Sequence, residues 1–169
     1  QAAVDAVNKF YPSKAPDDLR IGLVAIRPGT GEILALYGGR DYLERQLNDA
    51  TQSITQAGST FKSFALVAAL EQGIPLSSMW NGDSPQTFDD AGKPYVVSNY
   101  GNNGFGQVNL LEATKRSINT IFVPLGIKVG PTNVVDVARR AGIPENVAMM
   151  PTPSVVLGTS SPHVIDVAN

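Results

Sequence analysis

The stretch Thr55-Gln-Ala-Gly-Ser59-Thr-Phe-Lys62-Ser-Phe-Ala-Leu66 decides how this chain is read. It sets a hydroxyl and an amine three positions apart where an apolar, helix-forming run begins. On a helix, positions i and i+3 share a face, so Ser59 Oγ and Lys62 Nζ can meet. A nucleophile then carries its own base and needs no histidine, an arrangement suited to acyl transfer. The serine also stands at a helix N-terminus, where unpaired N–H groups and the macrodipole favour developing negative charge. Serine and lysine at this chain's frequencies give about 0.4 such tetrads by chance. A capping serine beside a solvated lysine is the competing reading, so context has to decide.

Composition narrows the classes. A chain of 169 residues with 43% hydrophobic and 17% charged residues reads as one globular domain with a real core. Formal net charge is -2, and the basic residues are scattered beyond the pairs Lys115-Arg116 and Arg139-Arg140. Nucleic-acid binding, which needs a basic stripe or patch, is not expected. With no cysteine, disulfides, thiolate catalysis and Cys-based zinc sites are excluded. No apolar run approaches the ~18 residues of a membrane span. The chain opens on Gln1 rather than Met, which reads as a piece of something longer.

Working outward, Ala2 to Phe10 has the spacing of an amphipathic helix, broken by Pro12 and Pro16. Arg20 to Arg27 and Glu32 to Tyr37 flank Pro28-Gly-Thr-Gly31 and predict an antiparallel hairpin, ended by Gly38-Gly39. Ser59 to Gln72 is the clearest helix, with Phe61, Phe64, Ala65, Ala68 and Ala69 apolar and Gly73 closing it. Ser77 to Gln107 reads as a long loop rich in Gly, Asn, Asp and Pro. Helices follow from Asn109 to Arg116 and from Thr120 to Val129, and another runs from Pro131 to Gly142. A last helix opens near Ser161-Pro162-His163. Together these predict a hairpin at about 20–38, a nucleophile helix at about 59–72 and an all-helical region from about 108 to 169.

Ser117-Ile-Asn119 supplies the second element, a hydroxyl and a carboxamide two apart between two helices. A hydroxyl near Lys62 could relay a proton, and the Asn119 amide could hold a substrate amide and the lysine. Alone, this pattern is ordinary helix-cap chemistry.

Taken together, Gly58-Ser-Thr-Phe-Lys62 and Ser117-Ile-Asn119 resemble the motifs of the transpeptidase domain of penicillin-binding proteins, related in fold to the serine β-lactamases. Pro28-Gly-Thr-Gly-Glu-Ile-Leu-Ala-Leu-Tyr-Gly-Gly-Arg-Asp-Tyr42 is similar to the first hairpin of the class A, bifunctional members. Leu47-Asn-Asp-Ala-Thr51 resembles the segment before the nucleophile, and Leu157-Gly-Thr159 with Ser161-Pro162 the approach to a later helix. The resemblance implies an α/β (α+β) fold with an antiparallel sheet packed against helices, of which this chain is the N-terminal portion.

The resemblance also implies roles. Ser59 would attack the D-Ala-D-Ala carbonyl of a peptidoglycan stem peptide, or a β-lactam ring, with its own N–H as one of two oxyanion donors. Lys62 would be the base. From a reference near 10.4, holding it neutral at pH 7 costs roughly 4–5 kcal/mol unless burial lowers its pKa. Ser117 would pass the proton to the leaving amine and Asn119 would orient the acyl-side amide. Gly58 and Thr60 beside the nucleophile, with Trp80 and Tyr100 in the loop, are further substrate-binding candidates. Packing within the loop is the other reading for Trp80, Tyr95, Tyr100 and Phe105. No cofactor or metal is implied. The domain would work at the extracytoplasmic face of a bacterial membrane, anchored by a segment outside this chain.

Some residues depart from the family pattern. Thr55, Ala57 and Asp49 stand where Arg, Pro and Arg are frequent. The third family motif, Lys-Thr/Ser-Gly, is absent from these residues. It carries a second oxyanion donor and a cation for the substrate carboxylate. A second chain bearing the C-terminal half would complete the fold, and a truncated remnant is the alternative. A β-lactam sensor or non-catalytic scaffold is the rival function. A serine β-lactamase fits poorly, because Glu145-Asn-Val-Ala-Met149 does not match the deacylating Glu-x-x-Leu-Asn stretch. The lone histidine, His163, reads as a surface residue.

Overall fold

The computed structural model describes residues 1–10, 16, 18–41 and 43–168. Pro12, expected to break the first helix, lies outside the described residues, as do Tyr42 and Asn169. The chain divides into two units, Gln1–Thr55 with Gly142–Pro144 and Pro162–Asn169, and Gln56–Ala141 with Glu145–Ser161.

In the first unit, α1 spans Ala2–Phe10, with Asp5 in its first turn and Lys9 in its last to complement the helix dipole. The expected hairpin forms from β1 (Leu23–Ile26) and β2 (Ile33–Tyr37), paired antiparallel with Leu23 opposite Tyr37 and Ala25 opposite Ala35. Its turn closes through Gly31 N–H to Arg27 O at 3.1 Å, with Gly29 and Gly31 both at positive φ. Ile33, Leu34 and Leu36 of β2 remain exposed, as expected of a strand pair with little sheet around it.

Past the hairpin, Asp49 N–H donates to Gly38 O at 2.7 Å. The Asp49 carboxylate is buried and accepts from Arg45 Nη2 at 3.1 Å and Ser53 Oγ at 2.6 Å. The residue that departs from the family pattern thus anchors its own segment. A short helix, α6 (Val164–Ala168), completes the unit. His163 is half-buried rather than on the surface, because its ring Nδ1 reaches Ser53 O at 3.1 Å.

The second unit is built on helices. A 3-10 turn, Gly58–Phe61, runs directly into α2 (Lys62–Glu71). Gly73 ends α2 as expected: at φ +78 it lets Ile74 N–H reach Ala69 O and its own N–H reach Leu70 O. The inward face of α2 is Ala65, Ala68 and Ala69, small enough for close approach. Asn109 caps α3 (Leu110–Lys115) by accepting from Glu112 N at 2.8 Å. The next helix, α4 (Asn119–Val129), buries Thr120, Ile121, Phe122, Val123, Leu125, Gly126 and Val129 and is the core element. A Cβ on Gly126 would lie 2.3 Å from Val156 Cγ1, so glycine is required where the 3-10 turn Pro153–Leu157 crosses. Finally, α5 (Pro131–Arg140) turns in Val134, Val137 and Ala138.

The expected loop from Ser77 to Gln107 is a correction. It contains β3 (Met79–Asn81), which pairs antiparallel with β6 (Gln107–Asn109), and a hairpin of β4 (Gln86–Asp90) and β5 (Lys93–Val97). The turn is Ala91-Gly92, both at positive φ, the geometry of a two-residue hairpin loop without the usual Asn-Gly signature. Polar strand residues and Pro94 concealed it.

Candidate active site

The 3-10 turn brings Ser59 and Lys62 together more directly than an α-helix would. In this geometry i and i+3 eclipse, and helical side chains lean toward the N-terminus. Lys62 Nζ therefore returns over the turn and donates to Ser59 Oγ at 2.9 Å. Gly58 opens the turn at φ +60 and donates its N–H to Gly158 O at 3.1 Å; Ala57 N–H reaches Ser160 O at 3.0 Å. Gly158 is itself at φ +70, and a Cβ there would lie 2.1 Å from Gly58 O. This glycine-on-glycine brace holds the turn that carries Ser59. Its only sign in the sequence was the Leu157-Gly-Thr159 likeness, which did not mark Gly158 as a site residue.

The second motif arrives through a helix end. Beyond α3, Ser117 N–H bonds Thr114 O at 3.1 Å and Ile118 N–H bonds Ala113 O at 3.0 Å. That is the Schellman pattern, in which the residue after the cap is left-handed and usually glycine. Ser117 occupies it at φ +55, a conformation that costs an L-residue roughly 1–2 kcal/mol. The strained placement puts two Ser117 oxygens on the lysine, with Nζ 2.8 Å from the carbonyl O and 2.9 Å from Oγ. Asn119, first residue of α4, accepts from Nζ through Oδ1 at 2.6 Å and donates Nδ2 to Ser98 O at 2.9 Å. Both of those partners are unambiguous, which fixes the orientation of the amide.

Lys62 is 4% exposed, with the Phe122 ring centroid 5.8 Å from Nζ. Burial pulls its pKa down from 10.5 to about 8. Among the described residues no carboxylate hydrogen-bonds it. Ser117 O and Asn119 Oδ1 can only accept, so they claim both N–H bonds of the neutral amine. The lone pair is then left for a hydroxyl, and Ser59 and Ser117 each stand 2.9 Å away. Both serines are exposed while the lysine is not. A base held dry between two accessible hydroxyls can take a proton from one and return it to the other.

Gly58 acts through its backbone, and the Thr60 side chain faces solvent. Trp80 Nε1 donates to Ser78 Oγ at 2.9 Å and its ring lies under Lys128, at the far end of α4 from Asn119. Tyr100 is 96% exposed. Neither aromatic has a hydrogen bond or ring contact with Lys62, and Tyr100 lies two positions past Ser98, which holds Asn119.

These features form a serine–lysine cluster with two hydroxyls on one buried amine, and its family is known. The penicillin-binding protein transpeptidase domain profile matches residues 21–155, and the chain belongs to that family. It is 37% identical to penicillin-binding protein 1A of Mycolicibacterium smegmatis over all of this chain and 22% of the relative. Among solved structures it resembles the penicillin-binding protein PonA1 from Mycobacterium tuberculosis. The TM-score is 0.85 at 34% identity, over 98% of this chain and 45% of that one. It is also similar to PonA1 in complex with penicillin V, with TM-score 0.83 and 33% identity, over 98% of this chain and 46% of that one. The chain thus spans about a fifth of that curated relative's length. The α/β transpeptidase fold and the family expected from the two motifs are borne out.

Proposed function

We propose that this chain carries the acylating centre of a peptidoglycan D,D-transpeptidase, with Ser59 as nucleophile, Lys62 as base and Ser117 as proton relay. As the Ser59 Oγ–carbon bond forms on the D-Ala-D-Ala carbonyl, the Ser59 proton passes to the neutral Lys62 amine. The oxyanion takes the Ser59 N–H, one of the helix-start donors with no carbonyl of its own helix before it. Collapse breaks the C–N bond to the terminal D-Ala. The proton moves from Lys62 through the Ser117 hydroxyl to the leaving amine, restoring a neutral lysine for attack by an acceptor amine. With one Nδ2 hydrogen on Ser98 O, the other is available to the acyl-side carbonyl. A β-lactam would enter the same way and acylate Ser59. The work would be done at the extracytoplasmic face of the membrane, where the polymer lies.

One observation carries this reading: a buried amine of lowered pKa lies 2.9 Å from two exposed hydroxyls. The test is labelling of the intact protein by a fluorescent penicillin, with Ser59→Ala beside it. Loss of label in the variant is expected, and equal labelling of both would overturn the assignment. Steady multiple turnovers of nitrocefin would instead favour hydrolysis over transfer.

A further inference from the structure

We infer that Asn99 is a positioning residue for this centre, holding the start of α4 so that Asn119 and Ser117 stay on Lys62. The inference rests on the reading above. Asn99 is 6% exposed and every hydrogen-bonding position of its carboxamide is used. Oδ1 accepts from Thr120 N at 3.0 Å and from Thr120 Oγ1 at 3.1 Å. Nδ2 donates to Gly82 O at 3.1 Å and to Asn103 O at 2.9 Å.

The arrangement fills a gap in α4. The residue preceding that helix is Ile118, which has no side chain able to cap it. The N–H of the second helical residue, buried Thr120, has no carbonyl of its own helix to meet and needs such a cap. Asn99 supplies it from a segment nineteen positions earlier in the chain. Its neighbour Ser98 takes the Asn119 Nδ2 at 2.9 Å, so residues 98 and 99 clasp the first two residues of α4. The clasp is in turn tied down, because Asn99 N–H donates to Ser84 Oγ at 3.0 Å. Asn99 touches neither Lys62 nor a hydroxyl of the centre; it acts by setting where Asn119 Oδ1 sits. If that oxygen drifts away, buried Lys62 loses an acceptor that favours its charged form, and its apparent pKa falls.

The test uses the intact protein and the rate of acylation by a fluorescent penicillin from pH 6 to 10, with melting temperature measured beside it. Asn99→Ala removes the clasp. Thr120→Val removes only the hydroxyl that meets Asn99, and Thr120→Ser restores it. For Asn99→Ala, acylation should slow by about ten- to a hundredfold, the scale of a sub-ångström misplacement. Thr120→Val should show a smaller loss in the same direction, each with the acid limb moved to lower pH, and Thr120→Ser should return both to wild type. Should Asn99→Ala fail to fold, the two Thr120 variants decide. Lower melting temperatures with an unchanged rate and pH profile would overturn the inference and leave the transpeptidase reading standing. Equal labelling of wild type and Ser59→Ala would instead overturn that reading, and this inference with it.

Discussion

Replacing Asn119 by Asp changes one atom type at the centre and tests what sets the ionisation of Lys62. With a pKa of about 8, roughly a tenth of Lys62 is neutral at pH 7, against about 3 in 10,000 at its ordinary 10.5. Burial therefore raises the population of competent base by about 300-fold. In Asn119→Asp a carboxylate oxygen replaces an amide oxygen 2.6 Å from Nζ. An opposite charge at that distance should raise the lysine pKa by about 1 to 3 and cut the neutral fraction at pH 7 by about ten- to a thousandfold. The other oxygen also faces Ser98 O, which had accepted a hydrogen bond at 2.9 Å. Stopped-flow acylation by a chromogenic β-lactam from about pH 6 to 11 reads this directly. The expected result is an acid limb moved upward, with the deficit shrinking as pH rises through it. A loss of equal size at every pH would refute the reasoning, since it would mean Lys62 ionisation does not limit the rate.

Three further outcomes follow from the same geometry. Lys62 loses its proton at lower pH folded than unfolded, so from about pH 8 to about 10.5 the unfolded chain holds more protons and stability should rise with pH. Below about 8 the full burial cost is present; in urea titrations Lys62→Met should lack this rise. Ser117→Gly relieves the left-handed strain that Ser117→Ala retains, so it should be more stable by about 1 kcal/mol in denaturant titrations, with acylation impaired in both. Gly158→Ala should destabilise by about 2 kcal/mol or more and depress penicillin labelling, because its Cβ would strike Gly58 O. A thermal shift within error of wild type would contradict that.

That Ser59, Lys62, Ser117 and Asn119 would meet was legible because each motif is local. A tetrad and a tripeptide each fix their own spacing, and the hairpin and helix ends were marked by Gly29, Gly31 and Gly73. What stayed hidden depends on distant partners. Asn99 looks like any loop asparagine until Gly82 and Thr120 are folded around it. Gly158 has meaning only against Gly58. The strands between residues 79 and 109 carry polar side chains and an Ala-Gly turn, so neither alternation nor turn chemistry announced them. Trp80 was singled out by its residue type and its place in the expected loop, and the fold sets it against Ser78 and Lys128.

The brace between Gly58 and Gly158 also bears on when the protein becomes competent. The two halves of that contact are a hundred positions apart. At about 5–20 residues per second, a ribosome needs roughly 5–20 seconds to deliver the second after the first. Until then Ser59 and Lys62 have been synthesised, yet the backbone that fixes their turn has not. Under the proposed roles, the turn bearing Ser59 and Lys62 is thus timed by chain growth: its backbone is fixed only once residues 158–160 have emerged and docked.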